Sequence, residues 1–329
     1  MQLNKVFVKE NPQSILVYGP AKSGKTQLVA GLVKRGYKLL WLDLEHGVQT
    51  LQQCLTAEEQ QSVTYIGVQD TNITPLAIET VGMLFAANKK HKVCTVHGRI
   101  NCAACSKLTG DDDHTVVNLH ELDSSWVVVV DSLTQLSDSA LAHATKDIQE
   151  NILRSSGKAD WDAYGYQGLL LTNVLSNMQQ AKFHRVFISH EDVIEQADKT
   201  ELIFPVCGTR AFSRRVARYF DHICYLYRQN KQHKAASSTA FKASVMAGSR
   251  TDISLEDGAD LANLLRMERP APAAPAATPR AMQAGARNLL SKLPGRAAAA
   301  AAAAVAGAAQ AEPAAQPAEP VAVAAADAM

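Results

Sequence analysis

The stretch that decides the fold of this chain is Ser14-Ile15-Leu16-Val17-Tyr18-Gly19-Pro20-Ala21-Lys22-Ser23-Gly24-Lys25-Thr26. It begins with an apolar run typical of a β-strand and continues into the pattern G-x-x-x-x-G-K-T. The following residues, 27–33, have the apolar spacing of a helix. A strand, a glycine-rich loop and a helix in this order distinguish a phosphate-binding P-loop from a chance match. The stretch therefore predicts that the chain binds a nucleoside triphosphate.

Each part of this loop has a defined task in the prediction. Two glycines allow backbone N–H groups to turn inward around phosphate oxygens, and the helix adds the positive end of its dipole. We expect Lys25 to reach the β- and γ-phosphates of ATP and the Thr26 hydroxyl to ligate Mg²⁺. The alternative is a glycine-rich turn with an incidental Lys-Thr pair. The predicted nucleotide-binding residues are Gly19, Pro20, Ala21, Lys22, Ser23, Gly24, Lys25, Thr26 and Gln27.

Composition divides the chain into two parts. Of its 329 residues, those from Pro270 onward are dominated by Ala and Pro and include almost no aromatic or β-branched residues. Such a segment cannot bury enough apolar surface to offset its ordering entropy, so 270–329 is predicted to be a disordered tail. The remainder, 1–269, has the size of one α/β domain with an insertion.

Charge and hydropathy exclude several classes of protein. The net charge is +1, so any contact with nucleic acid must come from a local patch. The N-terminus leads into no apolar segment of a signal peptide, and the Ala run after Arg296 is too weakly apolar and too short for a membrane span. Six cysteines without a secretory context fit a reducing compartment. These features predict a cytoplasmic protein without membrane contact.

An acidic pair follows the next apolar run, 37–43, which is predicted to be a second buried strand. The run ends in Asp43-Leu44-Glu45. Open α/β sheets place their ligands at the carboxyl ends of parallel strands. Glu45 is therefore a candidate to orient the water that attacks the γ-phosphate. A solvated loop carboxylate is the alternative interpretation when Glu45 is considered alone.

Two later strand ends supply candidates for the same chemistry. The apolar run 127–130 ends in Asp131, which is typical of a Walker B strand and predicts that Asp131 holds the Mg²⁺ shell beside Thr26. The alternative for Asp131 is an Asp-Ser pair that begins a helix after a buried strand. The run 185–189 ends in His190, where a sensor of the γ-phosphate would stand.

A metal site is predicted in the segment 91–120, which has little apolar periodicity. The segment contains two pairs of soft ligands, each pair separated by two residues. Four such ligands can close a tetrahedral structural Zn²⁺ site on one short loop. Four protein ligands leave no open position for catalysis. Buried free thiols and a chance cluster are the alternatives. The predicted ligands are Cys94, His97, Cys102 and Cys105, with His91, His114 and His120 as spare candidates.

The second half of the predicted domain combines loops with a cluster of arginines. The pattern predicts helices over 75–90, 136–152 and 169–182, a Gly- and aromatic-bearing loop over 155–166, a loop over 191–210, a basic helix over 211–219 and a strand over 221–227. The arginines are candidates for contact with a phosphate backbone or for an arginine finger acting in trans. A solvated helix face is the alternative. These candidates are Arg210, Arg214, Arg215 and Arg218.

Taken in order, these motifs resemble the RecA-like recombinase core, and specifically the compact phage ATPases of single-strand annealing and recombination. The resemblance covers about 12–230. It implies an α/β fold: a RecA-like P-loop NTPase core with a mostly parallel central sheet, here with a small zinc-binding-type insertion and the disordered C-terminal tail. It also implies that Glu45 is the catalytic glutamate, that Asp131 belongs to Walker B, and that His190 replaces the sensor that is usually Gln in bacterial RecA.

The same resemblance implies a function. It suggests a DNA-dependent ATPase that binds single-stranded DNA and promotes annealing or strand exchange. The two DNA-binding loops of the family correspond to 155–166 and 191–210, and Trp161, Tyr164 or Tyr166 are available to stack on bases. A homo-oligomer that completes its ATP sites in trans is implied, although the polymerisation helix of bacterial RecA has no counterpart before the P-loop strand.

Two other functions fit the same motifs. One is a RecA-core NTPase that serves replication, helicase loading or regulation without annealing DNA. The other is an interaction module that nucleotide only stabilises. Single-strand-binding or replication proteins are expected partners of an amphipathic segment at 282–293, for which an inert linker is the alternative. Because Glu45, Asp131 and His190 form a complete hydrolytic set, the sequence favours the ATPase.

Overall fold

The computed structural model describes residues 12–71, 74–86, 88–109, 113–152, 161–230, 232–238, 241–250, 255 and 259–265, which form both strands and helices. The strands are β1 (Ser14–Gly19), β2 (Lys38–Asp43), β3 (Val63–Gly67), β4 (His91–Cys94), β5 (His114–Val117), β6 (Trp126–Asp131), β7 (His184–Glu195), β8 (Glu201–Pro205), β9 (His222–Gln229), β10 (Gln232–Ala236) and β11 (Gly248–Ser249). The α-helices are α1 (Lys25–Ala30), α2 (Val48–Cys54), α3 (Ala57–Gln60), α4 (Leu76–Ala86), α5 (Ala103–Thr109), α6 (Leu133–Ile152), α7 (Trp161–Met178), α8 (Arg210–Ser213) and α9 (Ala262–Leu265). Short 3₁₀ helices cover Gly31–Arg35, Leu119–Glu121 and Val216–Tyr219.

Parallel strands form the centre of the main sheet, as the sequence predicts. Their order is β10-β9-β1-β7-β6-β2-β3, with β8 paired to β7 and β11 paired to β9. Neighbours from β9 to β3 run parallel, whereas β10 is antiparallel to β9. The register places Gly19 beside His190 and Asp43 beside Asp131. The ends of β1, β2, β6 and β7 therefore meet at one edge of the sheet.

The central strands are continuous apolar runs because helices cover the sheet on both faces. Along β6, Val128 and Val130 belong to the core that includes residues of α4, α6 and α7. Val127 and Val129 belong to the opposite core, which includes residues of α1. Side chains alternate between the faces of a strand, so a strand buried on both sides has no polar face.

Most predicted elements have an observed counterpart. The strands predicted within 37–43, 125–132, 185–190 and 221–227 correspond to β2, β6, β7 and β9. The helices predicted at 75–90, 136–152 and 169–182 correspond to α4, α6 and α7. Strand β3 and helices α2 and α3 have no counterpart among the predictions. The predicted tail, 270–329, with the segment 282–293, lies outside the described residues.

The prediction of a loop over 155–166 is wrong in its second half. Residues 161–166 are the first turns of α7, whereas 155–160 lie outside the described residues. Buried Ala163, Gln167 and Leu171 recur at a spacing of four and extend the core face of α7 towards its start. The exposed Gly165, which favoured a loop, lies on the opposite side.

Two predictions for the segments that follow His190 are also wrong. The segment predicted as a loop over 191–210 is mostly a β-hairpin, in which β7 continues to Glu195 and returns as β8. Apolar and β-branched residues on both strands favour this pairing, and Lys199 turns the chain with a φ of 64°. The basic helix predicted over 211–219 is split into α8 and a 3₁₀ turn.

The predicted metal-binding insertion has secondary structure of its own. Strands β4 and β5 form an antiparallel two-stranded sheet, and α5 lies between them in the chain. The insertion packs on the sheet edge at the end of β3, because Gly98 lies against Val68 with a φ of 79° and leaves no room for a Cβ. Among the described helices, none is both long and apolar enough to cross a membrane.

Candidate nucleotide and metal sites

The P-loop joins β1 to α1 and requires glycine at both of its ends. A Cβ at Gly19 would collide with the carbonyl oxygen of Leu226. Gly24 has a φ of 91°, which L-residues with side chains rarely adopt, and its position lies against the ring of His233. The Ser23 hydroxyl is buried and has no hydrogen-bond partner among the described residues. An unpaired buried hydroxyl in this loop fits a group that contacts a ligand.

Lys25 lies over the P-loop and is held there by backbone carbonyls. Its Nζ donates to the oxygen of Gly19 at 3.0 Å and to that of Pro20 at 2.8 Å. Burial lowers the pKa of Lys25, although the charges of Glu45 and Asp131 oppose this shift. The ammonium group therefore lies between the phosphate-binding loop and two carboxylates.

Thr26 and Asp131 form the pair of oxygen donors that suits Mg²⁺. The Thr26 hydroxyl donates to Asp131 Oδ2 at 3.2 Å. Burial, followed by the charges of Glu45 and Asp43, raises the pKa of Asp131 to about 7. A buried carboxylate that resists ionisation is stabilised as an anion by a neighbouring cation. These two residues therefore fit the predicted Mg²⁺ site, since hydroxyl and carboxylate oxygens are hard ligands.

Glu45 is bound by two side chains, those of Ser132 after β6 and His190 in β7. Its Oε1 accepts a hydrogen bond from Ser132, and its Oε2 lies 3.3 Å from His190 Nε2. Burial alone would raise the pKa of Glu45, but the hydrogen bonds from His190 and Ser132 and the nearby positive charges lower it overall. Glu45 is therefore a carboxylate at neutral pH, which is the form needed to accept a proton from water.

These residues surround one cavity of about 420 Å³ at the carboxyl edge of the sheet. It is lined by Lys22, Ser23, Gly24, Lys25, Thr26, Gln27, Glu45, Gly47, Thr50, Asp131, Ile188, His190 and His233. Of the predicted nucleotide-binding residues, Gly19, Pro20 and Ala21 do not line it. The P-loop, both predicted acidic residues and the predicted sensor thus come together in the fold.

A second cavity of about 290 Å³ shares the residues Gly24, Gln27 and His233 with the first. Its remaining lining residues are Leu28, Gly31, Leu226, Lys234 and Ala259. His233 lies between the two cavities, and its Nδ1 is 2.6 Å from the carbonyl oxygen of Ser23. His233 could not be predicted from the sequence, because a single histidine in a polar edge strand has no motif around it.

The sequence matches the family described as "AAA domain" over residues 11–251. The chain belongs to the AAA domain family. Among solved structures, the AAA domain is similar to one titled "Crystal structure of the RadB recombinase", with 15% sequence identity and a TM-score of 0.36. The match covers 68% of this chain and 79% of that chain. No curated protein matches the sequence.

In this AAA domain, three of the four predicted zinc ligands form one cluster within the insertion, and the fourth, Cys102, lies against His97. The ligand atoms of Cys94, His97 and Cys105 lie within 4.8 Å of one another. His97 Nε2 is 3.2 Å from Cys105 Sγ and 3.4 Å from Cys102 Sγ. Hydrogen bonds with Cys94 and Cys102, together with burial, raise the pKa of Cys105 to about 12, whereas backbone N–H groups at the start of α5 lower that of Cys102. One imidazole and three sulfurs are a donor set typical of structural Zn²⁺.

The spare candidates lie around this cluster in different ways. His114 is paired with Cys94 across the β4–β5 sheet, and His91 is buried farther along β4. Neither ring has a hydrogen-bond partner among the described residues. His120 is exposed. The ring atoms of these three histidines are not part of the cluster of Cys94, His97 and Cys105.

The candidate arginines of the AAA domain lie away from the nucleotide cavity of their own chain. Arg210 Nε is 3.3 Å from Asp192 Oδ2, across the base of the β7–β8 hairpin. Arg214 lies over the ring of Phe204 and Arg218 over that of Tyr219. Arg215 lines a separate surface cavity of about 420 Å³ together with Arg218. The fold leaves these arginines facing surfaces other than the P-loop.

Proposed function

We propose that this AAA domain is a DNA-dependent ATPase that binds single-stranded DNA and promotes annealing or strand exchange in phage recombination. The observation that carries the proposal is the arrangement around one cavity of Lys25, Thr26, Glu45, Asp131 and His190. The family match and the mostly parallel sheet support nucleotide binding by a RecA-like P-loop core. The DNA substrate and the phage source rest on the resemblance of these motifs to the phage recombination ATPases.

The reaction is phosphoryl transfer from ATP to water. Backbone N–H groups of the P-loop bind the phosphates, and Lys25 neutralises charge that develops on the γ-phosphate. Glu45 orients the attacking water and accepts its proton. Thr26 and Asp131 would hold Mg²⁺, which would supply further charge neutralisation. His190 contacts Glu45 and begins the outer half of β7, so it can report the state of the γ-phosphate to the hairpin.

Contact with DNA is proposed for the surface next to α7 and the β7–β8 hairpin. Trp161 is 90% exposed at the start of α7, and Tyr164 is also exposed, so both can stack on bases. Arg215 and Arg210 provide positive charge on neighbouring surfaces. Because the arginines do not reach the cavity of their own chain, we propose that one of them completes the ATP site of a second copy in a homo-oligomer.

The test is ATP hydrolysis with and without single-stranded DNA. The proposal expects turnover that DNA stimulates strongly and that Lys25→Ala abolishes. The matched control is Lys34→Ala, which removes an exposed lysine after the P-loop helix and should leave turnover unchanged. Turnover indifferent to DNA would favour an NTPase in replication, helicase loading or regulation. Negligible turnover would favour an interaction module that nucleotide only stabilises.

A structural Zn²⁺ bound by Cys94, His97, Cys102 and Cys105 is part of the proposal. Purified protein is expected to contain about one Zn²⁺ per chain, and chelation is expected to lower the melting temperature. The double variant Cys102→Ser/Cys105→Ser should lose the metal, whereas Cys54→Ser, far from the insertion in sequence, should retain it. A metal-free, normally folded preparation would refute the site.

Further parts of the proposal concern the rest of the chain. We propose a boundary near 269 between the ATPase domain and the tail 270–329. We also propose that the tail recruits single-strand-binding or replication proteins and that the protein acts in the host cytoplasm. Pull-down of such proteins by the full chain, lost on deletion of 282–293, tests the recruitment.

A further inference from the structure

Asp70, which follows β3, joins helices α4 and α6. Its Oδ1 accepts hydrogen bonds from the backbone N–H of Ala77 and from the Ser139 hydroxyl, both at 3.0 Å. Its Oδ2 accepts one from Gln135 Nε2 at 3.1 Å. Ala77 belongs to the first turn of α4, whereas Gln135 and Ser139 belong to α6. The carboxylate therefore fixes the start of α6 relative to the end of β3.

From Gln135, the contacts continue to the catalytic carboxylate. The backbone N–H of Gln135 donates to Ser132 Oγ at 3.1 Å. The Ser132 hydroxyl in turn donates to Glu45 Oε1. Asp70 and Glu45 are thus connected by three hydrogen bonds through two intervening residues, Gln135 and Ser132. A shift of Gln135 would alter the direction in which Ser132 presents its hydroxyl to Glu45.

In the other direction, Asp70 is attached to the turn that carries the zinc ligand His97. The neighbouring Gln69 donates from its backbone N–H to the carbonyl of His97 at 3.1 Å and from Nε2 to that of Val96 at 2.9 Å. The carbonyl of Gly98 accepts a hydrogen bond from Thr80 on α4 at 2.9 Å. The turn between the ligands Cys94 and Cys102 is therefore bonded to the segment that positions Asp70.

We propose that Asp70 is a positioning residue that makes the orientation of Glu45 depend on the metal-bound insertion. The proposal rests on the proposed hydrolysis by Glu45 and on the proposed Zn²⁺ site. Metal ligation fixes the turn at 96–98, the turn fixes Gln69 and Asp70, and Asp70 fixes the first turn of α6. Small displacements of a catalytic group lower turnover without weakening substrate binding. The insertion is thus a part of the ATPase that sets its rate, in addition to its structural role.

The test compares Asp70→Asn, removal of Zn²⁺ and the two together, with ATP hydrolysis measured after Mg²⁺ is restored. Each change alone is expected to lower kcat about tenfold and to leave KM for ATP unchanged. Together they are expected to lower kcat no further, because both act through the same contacts. The matched control is Glu121→Gln, which neutralises a carboxylate directly after the insertion that pairs only weakly with Lys90, at 3.8 Å, and should leave kcat unchanged.

A second measurement does not depend on turnover. In hydrogen exchange of the nucleotide-free protein, Zn²⁺ removal is expected to speed exchange at the amides of Gln69 and Gln135, which donate within this network. If Asp70→Asn does not fold, Gln135→Ala replaces it and should give the same kcat loss.

Several outcomes would overturn the proposal. One is an unchanged kcat in Asp70→Asn or in the metal-free protein. Another is a kcat that the two changes together lower by the product of their separate factors. The last is a wild-type protein without metal. Failure of the proposed function would look different. In that case the wild type itself would show no ATP turnover, or a turnover that Glu45→Gln does not abolish.

Discussion

Three carboxylates lie at the ends of two adjacent strands, and the contacts of each give it a different role. Asp43 accepts the backbone N–H of Glu45 at 3.1 Å and the Tyr65 hydroxyl at 2.7 Å, so it shapes the strand end. Asp131 is buried with a pKa raised to about 7 and faces Thr26, which suits a group that a cation stabilises. Glu45 has a lowered pKa and faces the cavity. Glu45 therefore combines a lowered pKa with access to the cavity.

The substitution Glu45→Gln tests this division of roles. Gln retains the shape of the side chain but cannot accept a proton, so kcat is expected to fall about 100-fold or more while ATP still binds. The measurement is steady-state hydrolysis together with binding of a fluorescent ATP analogue. Glu58→Gln, an exposed control on α3, should change neither. Unchanged turnover in Glu45→Gln would remove Glu45 from the mechanism.

The second cavity offers a steric test of where the nucleoside lies. Gly31 lines this cavity, has ordinary helical backbone angles, and would have nothing within 4 Å of an added Cβ. Gly31→Leu is therefore expected to fold normally, fill the cavity and raise KM for ATP on the order of tenfold with little change in kcat. Gly165→Leu, at another open helical glycine, is the control. An unchanged KM would place the nucleoside elsewhere.

At the scale of elements, the central strands could be predicted because strands buried on both faces are continuous apolar runs. The same reasoning located Glu45, Asp131 and His190, since each ends such a run or follows it within two residues. The β7–β8 hairpin was missed because its exposed outer strands mix polar and apolar residues, and its pairing depends on contacts between distant residues. Asp70 was missed for a related reason: its partners are as many as 69 residues away in sequence.

The start of β7 predicts a dependence of stability on pH. His184 is buried, and its Nδ1 accepts the backbone N–H of Gln13 at 3.0 Å. Burial, with the charge of Arg185, lowers the pKa of His184 to about 4, from about 6.5 in the unfolded chain. The folded state therefore binds fewer protons than the unfolded state between these values. The contribution of His184 is fully present above about pH 6.5 and is lost as the pH falls towards 4, by at most about 3 kcal/mol.

Chemical unfolding of wild type and His184→Asn between pH 4 and 7 measures this contribution. The amide oxygen of Asn can replace Nδ1 as the acceptor but does not titrate, so the stability of the variant should fall less steeply on acidification. His120→Asn, an exposed control, should follow the wild type. If the free energy of unfolding fell equally with pH in wild type and in His184→Asn, the lowered pKa of His184 would be contradicted.

At the scale of the whole molecule, contacts between residues separate a compact unit, Met1–Glu268, from Arg269–Met329. The candidate nucleotide and metal sites lie within the first unit. A chain truncated after Glu268 is therefore expected to fold, with a melting temperature within about 2 °C of the full chain and unchanged ATP turnover. Calorimetry and hydrolysis assays check this. Loss of turnover on truncation would show that the tail takes part in catalysis.

Strand β7 is continuous over 12 residues, from the buried His184 to Glu195 in the hairpin, and His190 lies at its centre. Under the proposed function, in which His190 senses the γ-phosphate, β7 can therefore act as a lever that pivots at His190. The outer arm, from His190 to Glu195, is about 17 Å long at 3.4 Å per residue. A tilt of about 5° at the fulcrum would move the end of that arm by roughly 1.5 Å. Under the proposed function, hydrolysis of the γ-phosphate would thus move the end of the hairpin at the outer surface.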